Sequence, residues 1–181
     1  IVRMFVVSAK QQMSDLRAAL KVDFQVYEEN AELPGFRTAR KLGLLTYRNW
    51  VEINERFLNK TGSESIDHYL NYNADKFVAR FDCNSYLYLL DAMNTYNLTS
   101  PDCTLAETLA PIAAKTLVVS VDSDILFTPS QQEALFAALD QAGVASSFIA
   151  HNSPYGHDAF LIEEEQLTRI ILSFLDSVDR L

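Results

Sequence analysis

From residue 116 onward the chain alternates short β-rich apolar runs with stretches of helical period, and that alternation leaves few folds open. Thr116 to Val121 and Ser147 to Ala150 are brief, with little polar alternation, the pattern of strands covered on both faces in a parallel sheet. Between them, Pro129 to Ala142 sets Ala134, Leu135, Ala138 and Leu139 at helical spacing. After them, Asp158 to Val178 carries a stripe of Leu161, Leu167, Ile170, Ile171, Phe174 and Leu175. Strand, helix, strand, helix is the order of a βαβ unit, so the expected class is α/β, parallel strands flanked by helices.

A third run, Val2 to Val7, also predicts a strand and opens the chain without a preceding cap or turn. Three parallel strands make a poor sheet, and the first would present an unpaired apolar edge. Further strands are therefore expected to pair there, from an upstream half of the same protein or from a partner. Between the first two runs the sequence predicts helices throughout. Ser14 suits a cap, Pro34-Gly35 a break, Asn49 with Glu52 a capping box, and Asp82 a cap for the helix of Tyr86, Leu87, Leu90 and Met93. Thr61-Gly62-Ser63 is an expected loop and Thr99-Ser100-Pro101-Asp102 closes the stretch. The resulting division is a core strand in 1–10, a helical lid inserted over 11–110, and the rest of the α/β core in 111–181. A helical subdomain packed for stability alone is the competing reading of the middle part.

Asp122 and Asp124 fall in the turn after the second predicted strand, and His157 in the loop after the third. Both places are carboxyl ends of strands, where open α/β sheets build their sites. A carboxylate there can orient a histidine and stabilise its imidazolium form; ordinary turn chemistry also accounts for either aspartate. Acid before histidine, near the end of an α/β chain, is the order in which α/β-hydrolases carry two members of their triad. Upstream, the segment from Phe36 to Arg48 holds Arg37, Arg40, Lys41 and Arg48 without an acid. On a helix Arg40, Leu44 and Tyr47 fall at i, i+4 and i+7, so a guanidinium and a phenol share one face. Such a pair could hold a substrate carboxylate. Without other information a solvated basic face with Tyr47 half buried explains the pattern as well.

Composition removes several classes. With 181 residues, 49% of them hydrophobic, the chain has material for one ordered domain. A net charge of −9 makes it a poor nucleic-acid binder, because phosphate contacts need clustered Lys and Arg. Cys83 and Cys103 lack C-x-x-C spacing, and His68, His151 and His157 form no metal-ligand pattern, so no metal is expected. No signal peptide or apolar run of membrane-spanning length is seen, which leaves a cytoplasmic protein as the default.

Four stretches carry a more specific likeness. They are Ala39-Arg40-Lys41-Leu42-Gly43-Leu44-Leu45-Thr46-Tyr47-Arg48, Lys76-Phe77-Val78-Ala79-Arg80-Phe81-Asp82-Cys83-Asn84-Ser85-Tyr86-Leu87, Ser123-Asp124-Ile125-Leu126-Phe127, and Tyr155-Gly156-His157-Asp158-Ala159-Phe160-Leu161. Together they resemble the homoserine O-acetyltransferases, α/β-hydrolase-fold acyltransferases of methionine biosynthesis. The resemblance implies the C-terminal part of that fold with a large helical lid, Asp124 as the triad acid and His157 as the base. It also implies that Arg40, Tyr47 and Asp158 contact the amino-acid substrate, Asp158 suiting an ammonium. Acetyl-CoA would be the co-substrate, with no bound cofactor, L-homoserine the acceptor, and a homodimer through the lid helices the assembly. The family's serine, in a glycine-rich elbow, has no counterpart here: Gly62-Ser63 lies in a polar loop with no strand before it. The nucleophile and oxyanion donors are thus expected upstream, and this polypeptide alone is expected to be inactive. A plain esterase and a non-catalytic truncated relative acting as a binding module are the alternatives. Acetyl against succinyl donor, and homoserine against serine, stay open.

Overall fold

The computed structural model describes residues 34–99 and 101–179. The expected strand at Val2 to Val7, the 1–10 core segment and the Ser14 cap lie outside the described residues. The described chain forms two compact units, one of Tyr47–Asn49 with 97–179, the other of 34–46 with Trp50–Tyr96. The long helical stretch expected to run to residue 110 is thus shared between units, the change falling between Tyr96 and Asn97.

The unit that carries the strands is built on a βαβ element. Strand β1, Thr116–Val121, pairs in parallel with β2, Ser146–His151, in a register running from Thr116 opposite Ser146 to Val121 opposite His151. Helix α6, Pro129–Gln141, joins them and packs on both. Its start is fixed chemically. Pro129 takes the first helical position, where no N–H is needed, and the Gln131 side chain accepts the Thr128 N–H at 3.0 Å. Its end is a Schellman motif: Val144 N–H donates to Leu139 C=O at 3.0 Å and Gly143 N–H to Asp140 C=O at 2.9 Å. Gly143 supplies the required left-handed turn, with φ of 73°. Leu139 and Val144 enter the core with Val118, Ala138 and Leu109, and Phe136 stacks obliquely on Phe148 at 5.4 Å. Leu109 comes from the short helix α5, Leu105–Leu109, closed by a capping box of Thr104 and Glu107.

The second unit is all helical among the described residues: α1 Pro34–Thr46, α2 Trp50–Phe57, α3 Ile66–Val78 and α4 Cys83–Thr95, with a 3-10 turn at Gly62–Glu64. Helices α1 and α3 pack together, and fully buried Phe36 meets Phe77 at 5.4 Å and Tyr86 at 5.1 Å. Asp82 caps α4 as expected, accepting the Ser85 N–H at 2.7 Å, and that bond holds its carboxyl below the usual range. Ser65 caps α3 in the same way through the His68 N–H.

Pro34 begins α1, the helix expected to follow the Pro34-Gly35 break, in keeping with the tolerance of proline for the first turn. One sequence expectation is corrected here. The C-terminal helix expected as one piece from Asp158 is three: a 3-10 turn Gly156–Asp158, α7 Ala159–Ile162 and α8 Glu164–Asp179. The break is at Glu163, whose backbone leaves the helical region at φ −100° and ψ 46°.

Candidate active site

The carboxyl ends of β1 and β2 lie side by side, so the loops that follow them meet. After β1 comes Asp122-Ser123-Asp124, and after β2 the loop 152–158. Asp124 Oδ2 sits 2.9 Å from His157 Nδ1, bridging 33 positions of sequence. Asp124 is 7% exposed, and its other oxygen accepts the N–H groups of Leu126 at 2.8 Å and Phe127 at 3.0 Å. A carboxylate so held keeps its orientation with little freedom. With Nδ1 engaged by the acid, Nε2 is the imidazole nitrogen left for proton transfer.

Aromatic rings surround the imidazole: Phe127 at 5.0 Å, Tyr47 at 5.8 Å and Phe160 at 5.8 Å between ring centres. Asp124 and His157 open on a cleft of about 420 Å³, lined also by Val119, Val121, Phe127 and Phe160. An apolar wall of that kind strengthens every charge interaction within it.

Helix α1 ends at Thr46, so Tyr47 falls just outside it and begins the Tyr47–Asn49 connector. That connector lies directly on the histidine loop. Asp158 N–H donates to Tyr47 C=O at 3.0 Å, and Gly156, at φ 67°, leaves no room between itself and the connector backbone. Asp158 faces Arg48, with 3.8 Å between carboxylate and guanidinium, and Arg48 also lies over the Tyr155 ring. A substrate ammonium at Asp158 would share that carboxylate with Arg48. Arg40 belongs to the helical unit, where its guanidinium lies over the Phe77 ring at 4.6 Å. Elsewhere in the basic segment Arg37 forms an ion pair with Asp75.

The neighbouring residues complete the picture. Asp122, weighed as a candidate acid, instead accepts Ser153 N–H at 3.0 Å and the Asn152 side chain at 2.5 Å. Ser123 donates to Ser153 C=O at 2.5 Å and accepts Gly156 N–H at 3.0 Å. His151 and Glu163 pair at 2.7 Å, both largely buried, and close the neck of the loop that carries His157. Burial pushes the Glu163 carboxyl upward, but bonds from Ser153 and His151 outweigh it and hold it below its ordinary value. Nothing in the spacing of His151 and Glu163 marks them as partners. Among the described residues no group of three His, Cys, Asp or Glu could hold a metal ion, and no helix is long and apolar enough to cross a membrane.

The parallel strand pair, the flanking helices and the acid–histidine contact at the strand ends define part of an α/β-hydrolase fold. Solved structures agree on the fold. A homoserine O-acetyltransferase from Bacillus anthracis superposes with a TM-score of 0.77 at 17% identity, over 90% of this chain and 47% of that one. An esterase does so with a TM-score of 0.74 at 20% identity, over 90% and 49%. By sequence, the chain's homologues are homoserine O-acetyltransferases. That of Methanococcus vannielii is 34% identical over 160 residues, 82% of this chain and 32% of the relative. That of Haemophilus influenzae is 37% identical over 153 residues, 80% of this chain and 43% of the relative. The chain thus spans between a third and a half of the length of these relatives. No family model matches it.

Proposed function

We propose that the full-length protein transfers an acetyl group from acetyl-CoA to the hydroxyl of L-homoserine through a serine acyl-enzyme. The observation that supports this most directly is the Asp124–His157 contact at 2.9 Å beside an apolar cleft, in a chain related to enzymes of that name. The serine comes from a part of the enzyme outside these residues, which contain no G-x-S-x-G segment. His157 Nε2 takes the serine proton as the serine oxygen bonds to the thioester carbon, and the coenzyme leaves as its thiol, carrying that proton. His157 then takes the proton of the homoserine hydroxyl, whose oxygen accepts the acyl group, and returns a proton to the departing serine. Asp124 holds the imidazole tautomer throughout.

In this reading Tyr47 and Asp158 beside the histidine, with Arg40, bind the amino acid, and residues 11–110 include the lid. Exposed Trp50, Leu58, Tyr72 and Tyr88 offer apolar surface for a homodimer through the helical unit. In this reading the enzyme works in the cytoplasm.

Full-length protein should release thiol from acetyl-CoA, measured with a chromogenic thiol reagent, in a manner that depends on homoserine. No homoserine-dependent release would sink the proposal. A second reading, plain ester hydrolysis, is favoured by the esterase structure that shares the fold. Cleavage of a small acetyl ester at a rate indifferent to homoserine would establish it instead.

A further inference from the structure

Three consecutive residues after β1 each hold a different part of the loop after β2. Asp122 takes Asn152 and Ser153, Ser123 takes Ser153 and Gly156, and Asp124 takes His157. The strand register, which ends with Val121 opposite His151, is thereby continued by side chains up to the imidazole. Ser153 is the most tied of these, 3% exposed, with its N–H, C=O and hydroxyl all engaged. After that of Asp124, the contact nearest the base in sequence is that of Ser123, on Gly156. Its hydroxyl donates to one end of the Ser153–Gly156 turn and accepts from the other, so it fixes the turn from which His157 departs.

We propose that Ser123 is a positioning residue for His157, its hydroxyl closing the Ser153–Gly156 turn so that Nδ1 stays on Asp124. The inference rests on the acyl-transfer reading only for its effect on rate; the geometric part stands without it. A small hydroxyl is suited to the task because it is donor and acceptor at once, which neither flanking carboxylate can be. Removing it leaves the Gly156 N–H and the Ser153 C=O unpaired in a part-buried place, and the loop must shift to find water.

The test compares wild type, Ser123→Ala and Ser123→Thr in the full-length protein. The strongly deshielded proton NMR resonance of His157 Nδ1–H, assigned by its loss in His157→Gln, reports the contact with Asp124. In Ser123→Ala the resonance should broaden or vanish, with turnover lowered by up to about 10²-fold, the scale of a misplaced catalytic group. Ser123→Thr keeps the hydroxyl and should keep the resonance. An unchanged resonance in Ser123→Ala would overturn the inference, as would a Thr variant that loses it just as fully. If the protein transfers no acyl group but the resonance still depends on the hydroxyl, the functional proposal falls and the positioning role stands.

Discussion

At Gly156 the histidine loop closely approaches the Tyr47–Asn49 connector, and its replacement by alanine probes that approach. A Cβ there would stand 2.8 Å from Asn49 N, 3.0 Å from Arg48 C and 3.2 Å from Tyr47 O, all backbone atoms without rotamers to yield. Gly143 is the internal control, with a similar φ of 73° against 67° but nothing within 4 Å of its Cβ. Both substitutions force alanine into the left-handed region. Partly offset by the reduced freedom of the unfolded chain, that strain should make Gly143→Ala destabilising by about 1 kcal/mol. Gly156→Ala adds the displacement of a packed backbone, about 1–3 kcal/mol more, for a total of about 2–4 kcal/mol. Urea unfolding of the intact protein, followed by circular dichroism, should separate the two midpoints by about 0.5–1.5 M at a typical slope of about 2 kcal/mol/M. Equal midpoints would refute the close approach, because backbone strain alone acts equally at both sites.

Other outcomes follow from the same structure. Asp124→Asn should keep the fold by circular dichroism yet lower turnover by about 10⁴, as loss of the acid does in serine proteases, the worked example for this constellation; near-wild-type turnover would remove Asp124 from its role. Leu139→Ala, at a side chain 1% exposed between α6 and the strands, should lower unfolding stability by about 2–5 kcal/mol. The Glu163 carboxyl is held below its ordinary value, so its contribution to stability is present above the unfolded carboxylate range. That contribution is lost as pH falls through the folded value, and Glu163→Gln should flatten the acid limb of stability measured by denaturant midpoint.

The strands and α6 were legible because apolar runs and helical period reflect burial directly. Thr116 to Val121 matches β1, and Ser147 to Ala150 lies within β2, whose ends Ser146 and His151 are polar and give no hydropathy signal. The span Pro129 to Ala142, read from apolar spacing, agrees with α6, which Pro129 begins and Gly143 follows in a left-handed turn. The break at Glu163 was not legible, since the apolar stripe from Leu161 to Leu175 reads as one helix and the pairing of Glu163 with His151, in another element, leaves no mark in the spacing. Tyr47 shows the same limit. Its spacing from Arg40 is helical, but the chain leaves the helix at Thr46 to lie against Gly156, a contact that only the fold specifies. Asp122 and Asp124 were both plausible acids from position, and only side-chain geometry tells the one that meets the imidazole from the one that ties the loop.

The separation of 33 positions between Asp124 and His157 also bears on how the pair assembles during folding. All of the intervening chain is the helix and strand of one βαβ unit, so the two groups meet when that unit closes. For a loop of this length the length-dependent part of the closure entropy is about 3 kcal/mol, and a loop ten times longer would cost only about 2 kcal/mol more. Across small domains, contacts nearer in sequence go with faster folding. The base and its orienting acid belong to one supersecondary unit, so closing that unit is what brings them together.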